Sequence, residues 1–159
     1  MAVSFPHASA RPFAALIVIA ALLVGAGSPA EAGSTEFQRV RSIAVAQIGD
    51  PWVWGKIGPD QFDCVGFVYY AFRQAGLSER IGGWRGVQSY RDWFAARGRV
   101  SRSNPRRGDL VIWGNNQHIG IYLGDGKAIS TLTSSGVSIR GIHGLTIPFT
   151  TFLHVRISR

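Results

Sequence analysis

Cysteine occurs once in the chain, as Cys64 in Phe62-Asp63-Cys64-Val65-Gly66-Phe67-Val68, and His118 follows 54 positions later in Asn116-Gln117-His118-Ile119-Gly120. A lone cysteine has no partner for a disulfide within its own chain, so it is a buried apolar filler, an intermolecular link or a reactive thiol. The neighbouring residues point to the third. Asp63 before it and an apolar-periodic run after it put Cys64 in the first turn of a helix. There the unpaired backbone N–H groups and the helix dipole favour the thiolate, which predicts a pKa below that of a free cysteine. A thiolate with a histidine beside it is the working pair of a cysteine hydrolase.

Elements that would position this pair are legible on both sides of it. Phe37, Val40, Ile43, Ala44 and Gln47-Ile48 recur at helical spacing until Gly49-Asp50-Pro51 ends the run. A turn-rich loop follows from Trp52 to Gln61. A second helix is predicted from about Asp63 to Gln74, with Gly76 placed to end it in a left-handed conformation. Val87, Tyr90, Trp93, Phe94 and Ala95 predict a third helix before Gly98.

From Asp109 onward the period changes to that of strands. Leu110–Trp113, His118–Leu123, Lys127–Thr131, Val137–Ile139 and Phe152–Ile157 form the set, with Gly124-Asp125-Gly126 as a hairpin turn. Helices first and antiparallel strands afterwards describe an α+β domain, its N-terminal helices packed on an antiparallel sheet. His118 would open a strand and Cys64 would open the helix lying on it.

The N-terminus reads as an export signal. Arg11-Pro12 precedes an apolar run from Phe13 to Ala26, and small residues around Ala30-Glu31-Ala32 follow. This predicts a signal peptide over residues 1–32, a single domain over 33–159, and a secreted, periplasmic or cell-wall location. An uncleaved anchor would need ~20 apolar residues, so the membrane enters only through this segment. The remaining 127 residues suffice for one hydrophobic core. They keep the formal charge of +8, since the removed part is neutral. That basicity favours anionic surroundings such as wall polymers or acidic head groups. Export and the lack of an aromatic-interleaved basic motif speak against nucleic acid. The densest basic stretch, Arg97, Arg99, Arg102, Arg106 and Arg107, reads equally as a solvated surface and as a polymer-binding patch.

Two blocks of the sequence resemble the signature of the NlpC/P60 cysteine peptidases. The first is Pro51-Trp-Val-Trp-Gly, Gly58-Pro59 and Phe62-Asp-Cys-Val-Gly-Phe-Val-Tyr-Tyr-Ala-Phe72. The second is Arg107-Gly-Asp-Leu-Val-Ile-Trp113 followed by His118-Ile-Gly-Ile-Tyr-Leu-Gly-Asp-Gly126. The resemblance implies a papain-like α+β fold and hydrolysis of peptidoglycan stem peptides, typically at the γ-D-glutamyl–diamino acid bond, with no cofactor. It implies Cys64 as nucleophile, His118 as base, and Asp63 as a partner for the free amine of the stem peptide.

Three positions depart from the family pattern. Trp52 replaces a tyrosine that helps polarise the scissile carbonyl, and Val65 replaces a serine that contacts substrate. Ser130, twelve residues after His118, stands where the family has His, Asn or Gln to orient the imidazole. A catalytically weak or inactive wall-binding module of the same fold is therefore the alternative reading, and a thiol acyltransferase or amidase a third.

Other histidines read as bland. His143 reads as a loop residue and His154 as structural, and their spacing carries no metal-site signal. Trp93 and Trp113 fit core positions, whereas Trp52, Trp54 and Trp84 fall in loops that could wall a groove.

Overall fold

A computed structural model describes residues 34–159. The expected signal segment lies outside the described residues. Among the described residues three helices come first: α1 (Glu36–Ala46), α2 (Cys64–Gln74) and α3 (Val87–Ala95), with a single 3₁₀ turn at Ser78–Ile81. Six strands follow: β1 (Val100–Ser101), β2 (Leu110–Trp113), β3 (His118–Gly124), β4 (Lys127–Leu132), β5 (Gly136–Gly141) and β6 (Phe149–Leu153). They form one sheet in the order β1-β6-β2-β3-β4-β5, with every pairing antiparallel. The α+β class and the segregation of helices from strands are as expected.

Local chemistry sets the helix limits. Thr35 and Gln38 close a reciprocal capping box at the start of α1. Asp63 caps α2 by accepting from the Gly66 amide at 2.6 Å. Gly76 adopts a φ of +73° just past the end of α2, the left-handed conformation expected of it.

Alternation along the strands divides the molecule into two apolar layers. Leu110, Ile112, Ile119, Ile121, Ile129 and Leu153 face the helices and join Val40, Phe67, Val68, Ala71 and Phe72 in the main core. Val111, Trp113, Tyr122, Ala128 and Phe152 project from the opposite face. They are covered by Ile142, Leu145 and Ile147 from the β5–β6 connection. Gly120 lies between strands too close for a side chain. A Cβ there would meet the Ile129 carbonyl oxygen at 2.7 Å and the Ser130 Cβ at 2.8 Å.

The end of the chain corrects one expectation. The last strand stops at Leu153 rather than continuing to Ile157. Beyond it the backbone turns to a side chain: the Val155 amide donates to Asp109 Oδ1 at 3.0 Å. Asp109 is fully buried and also accepts from the Arg106 amide and from Arg159 Nη2. His154 Nδ1 lies 2.8 Å from Asp109 Oδ2, and His154 Nε2 lies 2.7 Å from Ser101 Oγ. The Ser-His-Asp order resembles a serine hydrolase triad. However, the Ser101 hydroxyl donates to the Ser103 carbonyl, and Ser101 is not part of the Cys64 cleft. The network ties β1, β6 and the C-terminal tail to β2, in keeping with the structural reading of His154.

Candidate functional site

Cys64 is the first residue of α2, half-buried, with Asp63 as its cap. The loop before the helix supports it closely. Asp63 Oδ2 accepts from the Gly55 amide at 2.9 Å, and the Asp63 amide donates to the Lys56 carbonyl at 2.8 Å. A Cβ on Gly66 would collide with that same Lys56 carbonyl oxygen, so only glycine lets the helix start back onto the loop. Pro51 and Val53 bond through their backbones to Phe62, which presents Trp52 and Trp54 beside the helix start. Their rings stand 6.4 Å apart, and Trp54 is 81% exposed.

His118 opens β3 opposite Trp113 in the β2–β3 register. Cys64 and His118 line one cleft of about 470 Å³, together with Trp52, Trp54 and Asp63. Gln117, Thr131 to Ser134, Arg140 and the Gly144–Ile147 stretch of the β5–β6 connection complete its walls. The Ile119 amide, next to His118 in the chain, is close enough to the sulfur to favour its anion, as are the amides of Val65 and Cys64 itself. The Gly66 amide is spent on Asp63, so the Cys64 and Val65 amides are the donors left at the helix start.

The electrostatics differ from the sequence expectation. Burial pushes the Cys64 thiol up, the Asp63 carboxylate adds to the rise, and the three nearby amides only partly oppose it. A depressed thiol pKa was expected from the helix start, but desolvation and the adjacent negative cap outweigh the helix end. His118 is 8% exposed, and burial lowers its pKa to about 4. Both shifts favour the uncharged forms, thiol over thiolate and imidazole over imidazolium.

The other expected site residues separate. Ser130 is buried on β4, on the same face of the sheet as Gly120, but it makes no hydrogen bond to the imidazole. His118 Nε2 is buried without a partner among the described residues, as is Thr131 Oγ1 on the cleft wall. Val65 packs against the main core and is not among the residues lining the cleft. Helix periodicity turns it away from the face that carries Cys64.

Sequence reasoning missed Arg140, Gln117 and the Gly144–Ile147 wall. The β3–β4 hairpin register would have placed Thr131 opposite Ile119, but nothing in the local sequence marks Arg140 or residues 144–147. Trp84 is exposed and lies outside the cleft. Among the described residues no three His, Cys, Asp or Glu side chains gather as a metal site would require.

With Cys64 and His118 placed on a helix start and a strand start facing one cleft, comparison with known proteins becomes specific. A model of the NlpC/P60 family matches residues 49–156. The chain belongs to the NlpC/P60 family. It is 37% identical over 117 residues to a probable endopeptidase p60 of Listeria grayi, a stretch that is 72% of this chain and 21% of that protein. The chain thus spans about a fifth of the length of that relative. A probable endopeptidase of Corynebacterium glutamicum is 34% identical over 124 residues, covering 77% of this chain and 56% of that one.

Two solved NlpC/P60 domains bracket the functional range. The domain of the peptidoglycan hydrolase SagA superposes with a TM-score of 0.59 at 28% identity, covering 75% of this chain and 98% of that one. RipD of Mycobacterium tuberculosis superposes equally well, TM-score 0.59 at 25% identity, covering 77% of this chain and 99% of that one. RipD is described as a non-catalytic NlpC/P60 domain protein adapted to peptidoglycan binding.

Proposed function

We propose that this NlpC/P60 protein is an exported cysteine peptidase that cleaves peptidoglycan stem peptides, at the γ-D-glutamyl–diamino acid bond. The observation that carries this reading is the convergence of Cys64 and His118 on one cleft wide enough for a peptide. The cleft walls suit such a substrate. Trp52 and Trp54 offer flat apolar surfaces, Asp63 a negative charge for a free amine, and Arg140 a positive charge for a carboxylate.

With both shifts toward the uncharged forms, the proposed chemistry starts from a thiol and a neutral imidazole. Cys64 Sγ attacks the scissile carbonyl carbon while its proton passes to His118, so thiolate forms only as the bond to carbon forms. Nε2 is enclosed without a partner among the described residues, and in this reading it keeps the ring proton while Nδ1 serves as the base toward the cleft. The Cys64 and Val65 amides receive the developing oxyanion. Collapse breaks the C–N bond, and His118 returns the proton to the leaving amine. Water then attacks the thioester with His118 again taking a proton, and the thiol is restored.

A second reading is a weak or inactive wall-binding domain. It is favoured by the unpartnered His118 Nε2, the raised thiol pKa and the likeness to RipD. Incubation with purified muropeptides, followed by mass spectrometry of the products, decides between them. The peptidase reading expects two fragments from the protein and none from Cys64→Ala. Tight binding of intact muropeptides without fragments would establish the second reading.

A further inference from the structure

A separate depression lies at the junction of α3, the 3₁₀ turn and the start of the C-terminal tail. It is about 450 Å³ and is lined by Glu79, Arg80, Trp93, Arg97, Arg99 and Arg156. The residues arrive from three parts of the chain. β1 and β6 pair with Val100 opposite Leu153, and the His154 amide donates to the Arg99 carbonyl at 2.8 Å. That antiparallel register returns Arg156 to the level of Arg97 and Arg99. Trp93 stands at the centre: the Arg97 guanidinium carbon lies 3.9 Å from its ring centroid, and that of Arg99 4.8 Å.

The cations here are largely uncompensated. Arg80 pairs with Glu36 at 3.2 Å, but Arg97, Arg99 and Arg156 form no ion pair among the described residues. Among the described residues the Arg97 guanidinium donates only to the Trp93 carbonyl, at 2.8 Å. Glu79 is the one carboxylate on the rim. Burial and the like charges of Arg156 and Arg97 push the Arg99 pKa down from its ordinary value. Guanidinia held together against mutual repulsion, with a fixed indole between them, form a binding arrangement for an anion with several oxygens.

We infer that this arginine depression binds phosphate groups of a polyanion, at a site distinct from the Cys64 cleft. Phosphate fits better than carboxylate, because three guanidinium forks offer more parallel N–H donors than two carboxylate oxygens accept. A phosphate-bearing polymer is favoured over a membrane surface. Among the described residues the large exposed apolar side chains are Ile48, Trp54, Ile57, Trp84 and Ile139, and none of them lines the depression to insert between lipids.

Isothermal titration calorimetry with inorganic tripolyphosphate and with poly(glycerol phosphate) tests this, with sedimentation against phosphatidylglycerol–phosphatidylcholine vesicles as a parallel arm. The double variant Arg99→Gln/Arg156→Gln is expected to weaken binding of both phosphate probes about tenfold or more. The equally charged control Arg41→Gln/Arg73→Gln should change it less than about twofold. Because Arg99 also lies over the Phe94 ring, Arg156→Gln alone serves as the second variant, with thermal melts confirming folding. Equal weakening by site and control variants, or no binding by the unaltered protein, would overturn the site. Arg99- and Arg156-dependent binding to vesicles alone would overturn the polymer in favour of lipid head groups.

Discussion

The Trp113 indole lies 5.4 Å from the His118 imidazole, centroid to centroid, and the two residues face each other across the first rung of β2 and β3. Trp113 is itself anchored, its Nε1 donating to the Ile142 carbonyl at 2.7 Å. The imidazole is therefore held by packing against a fixed ring rather than by a hydrogen bond to a third polar residue. Its orientation is set from one side, and its Nε2 is left enclosed and unpaired. An unpaired buried polar atom costs about 1–3 kcal/mol, and that cost gives Ser130 variants something to recover.

Ser130→Ala should leave kcat within about twofold of the unaltered protein, since no hydrogen bond to His118 is lost. Ser130→His or Ser130→Asn, whose side chains extend further from β4 than serine, should raise kcat about tenfold, worth roughly 1.4 kcal/mol. Steady-state kinetics on a defined muropeptide read both. A tenfold loss in Ser130→Ala would show that the serine orients the ring after all, through a contact made only with substrate bound.

Cys64 should alkylate slowly. With its thiol pushed up by burial and Asp63, iodoacetamide should react more slowly at pH 7 than with a free cysteine peptide, and the rate should climb above pH 9. Mass spectrometry of timed aliquots measures it. Rapid modification at pH 6 would mean that a thiolate–imidazolium pair already exists at rest.

Stability should fall in acid through His118. Its pKa of about 4 in the folded state lies below the ordinary 6.5, so the unfolded chain takes up the proton first as pH drops. Stability is fully present above about pH 6.5 and is lost progressively down to about pH 4, by roughly 3 kcal/mol. Urea unfolding across that range should show this slope, and His118→Gln should flatten it. An unchanged slope in the variant would place the titration elsewhere.

Asp63 has two separable effects. Asp63→Ala removes the acceptor for both Gly66 and Gly55 and should cost about 1–2 kcal/mol of stability. Asp63→Asn keeps a capping oxygen but removes the charge that raises Cys64, so alkylation should shift to lower pH with a smaller stability loss. An unmoved alkylation profile in Asp63→Asn would leave burial as the whole cause.

The legible and illegible parts of the structure divide by the range of the interactions involved. α2, its cap at Asp63 and the stop at Gly76 follow from local chemistry, and strand alternation gives β2 to β5 with small shifts at the ends. β1 is only Val100–Ser101 and carries no period to detect. The early end of β6 depends on buried Asp109, a partner 46 residues away from Val155. At the site, Cys64, His118, Asp63 and Trp52 come from motif blocks. The fate of Ser130 and Val65 depends on which way a side chain faces, which spacing alone leaves open. The direction of the Cys64 shift required knowing how deeply the helix start is buried.

The proposed role of Cys64 as nucleophile is open to direct observation. The protein is mixed with a stem-peptide substrate, quenched in acid within the first turnover, and digested for mass spectrometry. An acyl adduct equal in mass to the carbonyl-side fragment should appear on the peptide containing Cys64. It should be absent from Cys64→Ala and greatly diminished in His118→Ala. Substrate cleavage that proceeds in Cys64→Ala, with no adduct on the unaltered protein, would contradict the account.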